Sequence, residues 1–195
     1  MASEATEQPE VVEEPAADEP SAAERARRDA ALAHVRRLGD PVLRTHALPV
    51  SQFDWQLREQ VDRMRELMDG ALGVGLAATQ VGIVERVLVY RVENDSPIVA
   101  LINPDIVWRG DELETAQEGC LSIPGVHVDV ERNVHVRVNA VDETGLPLEV
   151  EASGLEARVL QHEIDHLDGV LMLDRASREQ RRDAMRTWRE LQQAE

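Results

Sequence analysis

The segment His162-Glu163-Ile164-Asp165-His166 holds two imidazoles four residues apart, with a carboxylate directly after the first. On a helix that spacing puts both rings on one face, about 6 Å apart along the axis, so they can converge on a single ion. Glu163 lies beside that face, where it can reach a water held at the ion. The H-E-x-x-H pattern is the zincin signature, two ligands and a general acid/base. Taken alone, the same pattern also arises as an ordinary surface run on a helix.

A catalytic metal centre needs a third protein ligand and an open position. The metzincin extension would place a histidine at position 172, where the chain has Met172. A thermolysin-like centre would use a downstream glutamate, and the nearest, Glu190, sits among arginines in a helix that reads as surface. Cys120 is the better donor. It is the single cysteine and lies in Glu118-Gly119-Cys120-Leu121-Ser122-Ile123-Pro124, a turn-like, polar stretch between strands. A lone cysteine is otherwise a small buried hydrophobe, and this setting is unlike a core. Cys120, His162 and His166 are therefore the candidate ligands, with Glu163 as the candidate acid/base. Asp165 and Glu118 are candidates to orient the ligands from behind, and Arg132 to pair with Glu118, a plain surface ion pair being the alternative.

Gly73-Val74-Gly75-Leu76-Ala77-Ala78-Thr79-Gln80 is the second informative stretch. Its small residues let a backbone approach a ligand closely. It is no dinucleotide fingerprint, because it follows a helix and lacks the third glycine. Gln80 could offer an amide N–H to a developing oxyanion; a tight helix-to-strand turn is the simpler reading of the segment.

The elements that carry these residues can be read from patterning. Ser21 and Glu24 form a capping-box pair that opens a helix from about Ala22 into Arg27–His34, ended by Gly39-Asp40-Pro41. Asp54 caps a second helix whose Leu57, Val61, Met64, Leu67 and Met68 recur at core-stripe spacing until Gly70. Strands are expected at Val84–Val92, at Ile98–Ile102 and along the alternating Val134, Val136 and Val138 to Ala140. Glu143-Thr144-Gly145 turns into a partner strand near Leu146–Val150. A helix over Ser153–Leu167 carries the histidines, Gly169 follows it, and Ser177 opens a last helix to about Gln193. Strands first and a site-bearing helix later predict an α+β fold rather than a regular βαβ array.

The 195 residues suit one domain, read as 21–195 behind an acidic, disordered tail over 1–20. With 43% hydrophobic but 3% aromatic residues, the core must be aliphatic, which argues against an aromatic nucleic-acid platform. A formal net charge of −17 argues against duplex binding. All 21 basic residues are arginine. One cysteine makes no internal disulfide, no apolar run approaches the roughly 20 residues that span a bilayer, and the acidic start is no secretory or transit signal. A cytoplasmic monomer without membrane contact is expected.

Together, G-V-G-L-A-A-T-Q at 73–80, E-G-C-L-S at 118–122 and Q-H-E-I-D-H at 161–166 resemble the motifs of bacterial-type peptide deformylases, in order and at similar separations. The resemblance runs from about Leu38 to Arg175. It implies an α+β fold, with antiparallel or mixed sheets packed around the metal-binding helix plus a C-terminal helix. It also implies removal of the formyl group from the N-terminal methionine of nascent chains. On the same footing Gln80 and the Leu121 backbone N–H would hold the oxyanion, Gly75 would meet the substrate backbone, and Val74, Leu155 and His162 would line the methionine pocket. The metal implied is iron(II), one per chain, although a thiolate and two imidazoles also suit zinc, nickel or cobalt. His127 stands where the family often has arginine.

Arg178, Arg181, Arg182, Arg186 and Arg189 give the last helix a basic stripe. Interleaved Glu179, Asp183 and Glu190 make a solvated, pair-laced helix the simpler reading, and docking to ribosomal RNA the sharper one. Two rivals stand against a deformylase. A zincin-type endopeptidase would need a ligand other than Cys120. A structural metal protein or non-catalytic peptide binder would leave Glu163 idle.

Overall fold

The computed structural model describes residues 21–93 and 95–194; the tail expected over 1–20 lies outside them. Helix α1 (Ala22–Leu32) opens as expected. The Ser21 hydroxyl accepts from the Glu24 N–H at 3.2 Å, and the Glu24 carboxylate accepts from the Ser21 N–H at 2.7 Å. It ends at Leu32, short of the expected His34. Gly39-Asp40-Pro41 ends no helix; Asp40 instead caps a separate 3-10 turn, Pro41–Arg44, through the Val42 N–H. Helix α2 (Trp55–Gly70) starts on the Asp54 carboxylate, which accepts from Gln56 and Leu57 N–H groups, and buries Leu57, Val61, Met64 and Met68.

Among the described residues seven strands follow: β1 (Gly75–Ala77), β2 (Val87–Tyr90), β3 (Val99–Arg109), β4 (Leu113–Gly119), β5 (His127–Asn133), β6 (His135–Val141) and β7 (Pro147–Ser153). The sheet order is β1-β2-β3-β6-β7, antiparallel throughout, with β4-β5 as a separate antiparallel hairpin. The strand expected over Val84–Val92 is shorter. Leu48 bridges Glu85 just ahead of it, and only Val87–Tyr90 joins the ladder. β3 runs well past the expected Ile102, through Asn103 at φ 53 and a break in register before Asp105. The Asn103 side chain bonds both the N–H and the C=O of Val50 at this bend.

Helix α3 (Gly154–Leu167) then crosses one face of the large sheet, followed by the short α4 (Met172–Arg175) and by α5 (Arg178–Ala194). The alternation of β2 divides the core. Leu88 and Tyr90 pack with Ala157, Leu160, Ile164 and Leu167 of α3, whereas Val87 and Val89 pack with Val61, Met64 and Met68 of α2. The sheet is thus sandwiched between α2 and α3. A third cluster joins Val128 and Val130 of β5 to Met172, Leu173, Ala184 and Trp188, so α4 and α5 cover the hairpin. This is the expected α+β arrangement, with α3 enclosed between the large sheet and β5.

The chain leaves α3 through Gly169 at φ +74, where an added Cβ would lie 2.7 Å from the Arg44 carbonyl oxygen. Left-handed backbone and a backbone clash coincide there, and neither can relax cheaply. Gly169→Ala is expected to lower stability by about 1–3 kcal/mol, read as a reduced denaturation midpoint; an unchanged midpoint contradicts this packing.

Candidate functional site

Helix α3 is buried nearly all round, which is unusual for a segment rich in ionisable groups. Several of its polar residues are partnered, Arg158 and His162 by Glu118, Gln161 by Asn133 and Asp165 by Arg132. His162 and His166 sit one turn apart with ring centroids 4.9 Å from one another. Cys120, just beyond the end of β4, brings its Sγ to 3.2 Å from His166 Nε2. One donor atom from each of Cys120, His162 and His166 falls within 4.8 Å of the others, a group that could hold a metal ion.

His162 Nδ1 lies 2.9 Å from Glu118 Oε2, so its Nε2 is the nitrogen left for the shared centre. Burial opposes ionisation of Glu118, yet hydrogen bonds from His162 and Arg132 overcome it and hold the carboxyl down at about 2. Arg132 reaches both Glu118 oxygens, at 2.9 and 3.0 Å, and Arg158 adds a third contact at 3.0 Å. Arg132 also meets Asp165 at 2.5 Å, and Asp165 in turn is gripped by Arg175. The pairing of Arg132 with Glu118 is therefore deeply buried, not a surface ion pair. The sequence alone assigns no role to Arg158 or Arg175. Arg158 precedes His162 by four residues, a helical spacing that could have flagged it; Arg175 carries no such signal.

Glu163 points the other way, towards Gly75 on β1. A Cβ added to Gly75 would come within 2.4 Å of Glu163 Oε1. The other carboxylate oxygen, Oε2, is buried with no protein partner among the described residues. Burial pushes the Glu163 carboxyl up to about 7 against the pull of His162, in the range suited to proton transfer near neutrality. Gln80 is fixed on the 3-10 turn Ala78–Val81. Its Oε1 accepts from the Ala77 N–H at 2.9 Å, and its Nε2 faces Cys120 Sγ at 3.6 Å and Ser122 Oγ at 3.2 Å. Among the described residues the Leu121 N–H has no backbone partner.

These groups open onto one cavity of about 420 Å³, lined by Val74, Gly75, Gln80, Cys120, Leu121, Leu155, His162 and Glu163 among others. His166 does not line it, being 1% exposed behind the other two donors. Val74 and Leu155 are half exposed at the rim, and His127 lies on the wall. Val74, Gly75, Gln80, Cys120, Leu121, Leu155, His162 and Glu163 thus line this cavity, whereas His166, Asp165 and Arg132 do not.

The donor set fits a catalytic ion. Cys120 and His162 line the cavity with His166 buried behind them, and one thiol and two imidazoles are donors that could hold a transition-metal ion. A family model described as polypeptide deformylase matches residues 32–182. The chain belongs to this family. The peptide deformylase of a Parafrankia species is 46% identical over 156 residues, 80% of this chain and 85% of the relative. That of Thermotoga maritima is 48% identical over 143 residues, 73% and 86% respectively. Among solved structures, the peptide deformylase from Synechococcus elongatus in complex with actinonin superposes with a TM-score of 0.76 at 45% identity, covering 78% of this chain and 85% of that one. The Legionella pneumophila enzyme gives a TM-score of 0.78 at 37% identity, covering 82% and 95%. As a deformylase, the chain removes the formyl group from N-terminal formyl-methionine of polypeptides.

Removing Arg132 strands charge in the interior on both Glu118 and Asp165. Arg132→Leu is expected to cost about 3–5 kcal/mol of stability, measured by denaturant unfolding; a loss near zero would mean the pair is solvated.

Proposed function

We propose that residues 21–195 act as one metal-dependent amide hydrolase, in which Cys120, His162 and His166 hold a single divalent ion and Glu163 moves the protons. The observation that supports it best is the convergence of three donor atoms at the floor of a cavity, next to a buried carboxylate oxygen with no partner among the described residues. Iron(II) is the ion we favour, on family resemblance; zinc, nickel and cobalt suit the same donors. An ion held there supplies Lewis acidity and makes hydroxide accessible near neutral pH.

The remaining work falls to the chain's own groups. Formyl-methionyl peptide enters along β1, an edge strand of the large sheet, where backbone groups around Gly75 can pair with the substrate backbone. Val74, Leu155 and His162 enclose the methionine side chain. Glu163 takes a proton from the attacking water and delivers it to the leaving amine, a role worth roughly 10²–10⁴-fold. Gln80 Nε2 and the Leu121 N–H donate to the oxygen that becomes negative, and each such donor is typically worth about 2.7–4 kcal/mol.

A helix able to cross a membrane is absent among the described residues. We read the protein as a cytoplasmic monomer that meets nascent chains as they emerge, with α5 contacting ribosomal RNA. Arg181 pairs with Asp174 and Arg186 with Asp183, whereas Arg178 and Arg189 have no ionic partner among the described residues. Deleting α5 would remove Ala184 and Trp188 from the core, so charge reversal is the sound test. Arg178→Glu with Arg189→Glu should weaken ribosome co-sedimentation and spare hydrolysis of short peptides; unchanged co-sedimentation rejects the contact.

The enzymatic reading is tested by anaerobic hydrolysis of N-formyl-methionyl peptides, with metal analysis on the same sample. Glu163→Ala should keep its metal and lose about 10²–10⁴-fold in turnover, while Cys120→Ala should lose the metal. Full activity in either variant refutes the assignment.

A further inference from the structure

Arg28 lies four residues before Leu32 on α1, outside the 32–182 span of the family match, yet it lines the cavity together with Gly73, Val74, His127 and Leu155. Its helix is seated firmly. Arg27 pairs with Asp69 of α2, and Ala31, Leu32, Val35 and Ala71 form an apolar cluster against which Leu67 and Leu121 pack. An added Cβ on Gly70 would approach the Ala31 Cβ to 3.0 Å, so α1 and the end of α2 are in close contact. Through Leu121, α1 also backs the loop that carries Cys120.

Among the described residues, the charges around the mouth leave Arg28 unmatched. Glu24, one turn earlier, is engaged in the capping box with Ser21. Asp69 is shared between Arg27 and Arg91. Arg158, the other cavity arginine, is spent on Glu118 and the Val130 and Glu114 carbonyls. Among the described residues Arg28 has neither an ion-pair nor a hydrogen-bond partner, and it stands exposed at the rim of a protein whose formal charge is −17. A lone guanidinium at that place offers planar, permanently charged donors to a carboxylate.

We propose that Arg28 is a specificity-determining residue that favours substrates with an acidic side chain shortly behind the formyl-methionine. The inference rests on the deformylase reading, since it assumes the peptide leaves the site over this rim. A carboxylate there would meet an exposed guanidinium that has no ionic partner among the described residues, so the contribution should appear mainly in KM and fade as salt is added.

The test compares amide-capped N-formyl-methionyl tetrapeptides that carry Glu or Gln at the second, third or fourth position, at low and high salt. On Arg28→Gln, the Glu/Gln ratio of kcat/KM should fall about two- to fivefold at one position, the size expected of an exposed ion pair. Arg28→Lys should restore most of the ratio. Arg58→Gln, an equal loss of charge at the other end of α2 and away from the cavity, should leave it unchanged. A ratio unaltered by Arg28→Gln at all three positions, or lowered equally by Arg58→Gln, overturns the proposal. If the unaltered protein hydrolyses none of the formyl peptides, it is the deformylase reading that fails, and this inference falls with it.

Discussion

A carboxylate that stays ionised out of water needs partners, and Glu118 has Arg132, Arg158 and His162 at once. That requirement reaches far into the fold. Arg132 comes from β5, Arg158 and His162 from α3, and Glu118 from β4, so hairpin and helix are locked in one register by charge. Asp165 and Arg175 extend the chain of pairs to α4. Cys120 lies two residues past Glu118, which means the same lock sets how far the thiol stands from the imidazoles.

Apolar packing supplies the complementary constraint. The large sheet presses α3 from one face, with Leu88 and Tyr90 against Leu160 and Ile164, while the hairpin closes over the other. The histidine rings therefore have little freedom to turn, and His162 is pinned by Glu118 besides. Gln80 is fixed from a third direction by its bond to the Ala77 N–H. Preorganised groups of this kind avoid the cost of reorienting during reaction.

Much of this was legible in the chain. The spacing of His162 and His166, the polar surroundings of Cys120 and the caps at Ser21 and Asp54 each carry a local physical reason, and each element formed where that reason pointed. The hairpin was not foreseen. Val128 and Val130 do alternate, but the next inward position is Arg132, and a charged residue on a core face breaks the hydrophobic period that marks a strand. Only a partner distant in sequence makes that arginine admissible. The extent of β3 was hidden for a related reason. The β-rich run ends at Ile102, yet Asn103 bonds the backbone of Val50 and the strand resumes beyond the bend. Arg28 and Arg175 owe their places wholly to tertiary packing, which local spacing does not encode.

The contact between Gly75 and Glu163 bears on how such a site can diversify. The carboxylate occupies the space in which a side chain at position 75 would otherwise begin. Strand and acid thus divide one small volume, and neither can be enlarged without displacing the other. Variation that arises one residue at a time is barred from this corner, so novelty in what the enzyme accepts must come from the rim, where Val74 and Leu155 face open solvent.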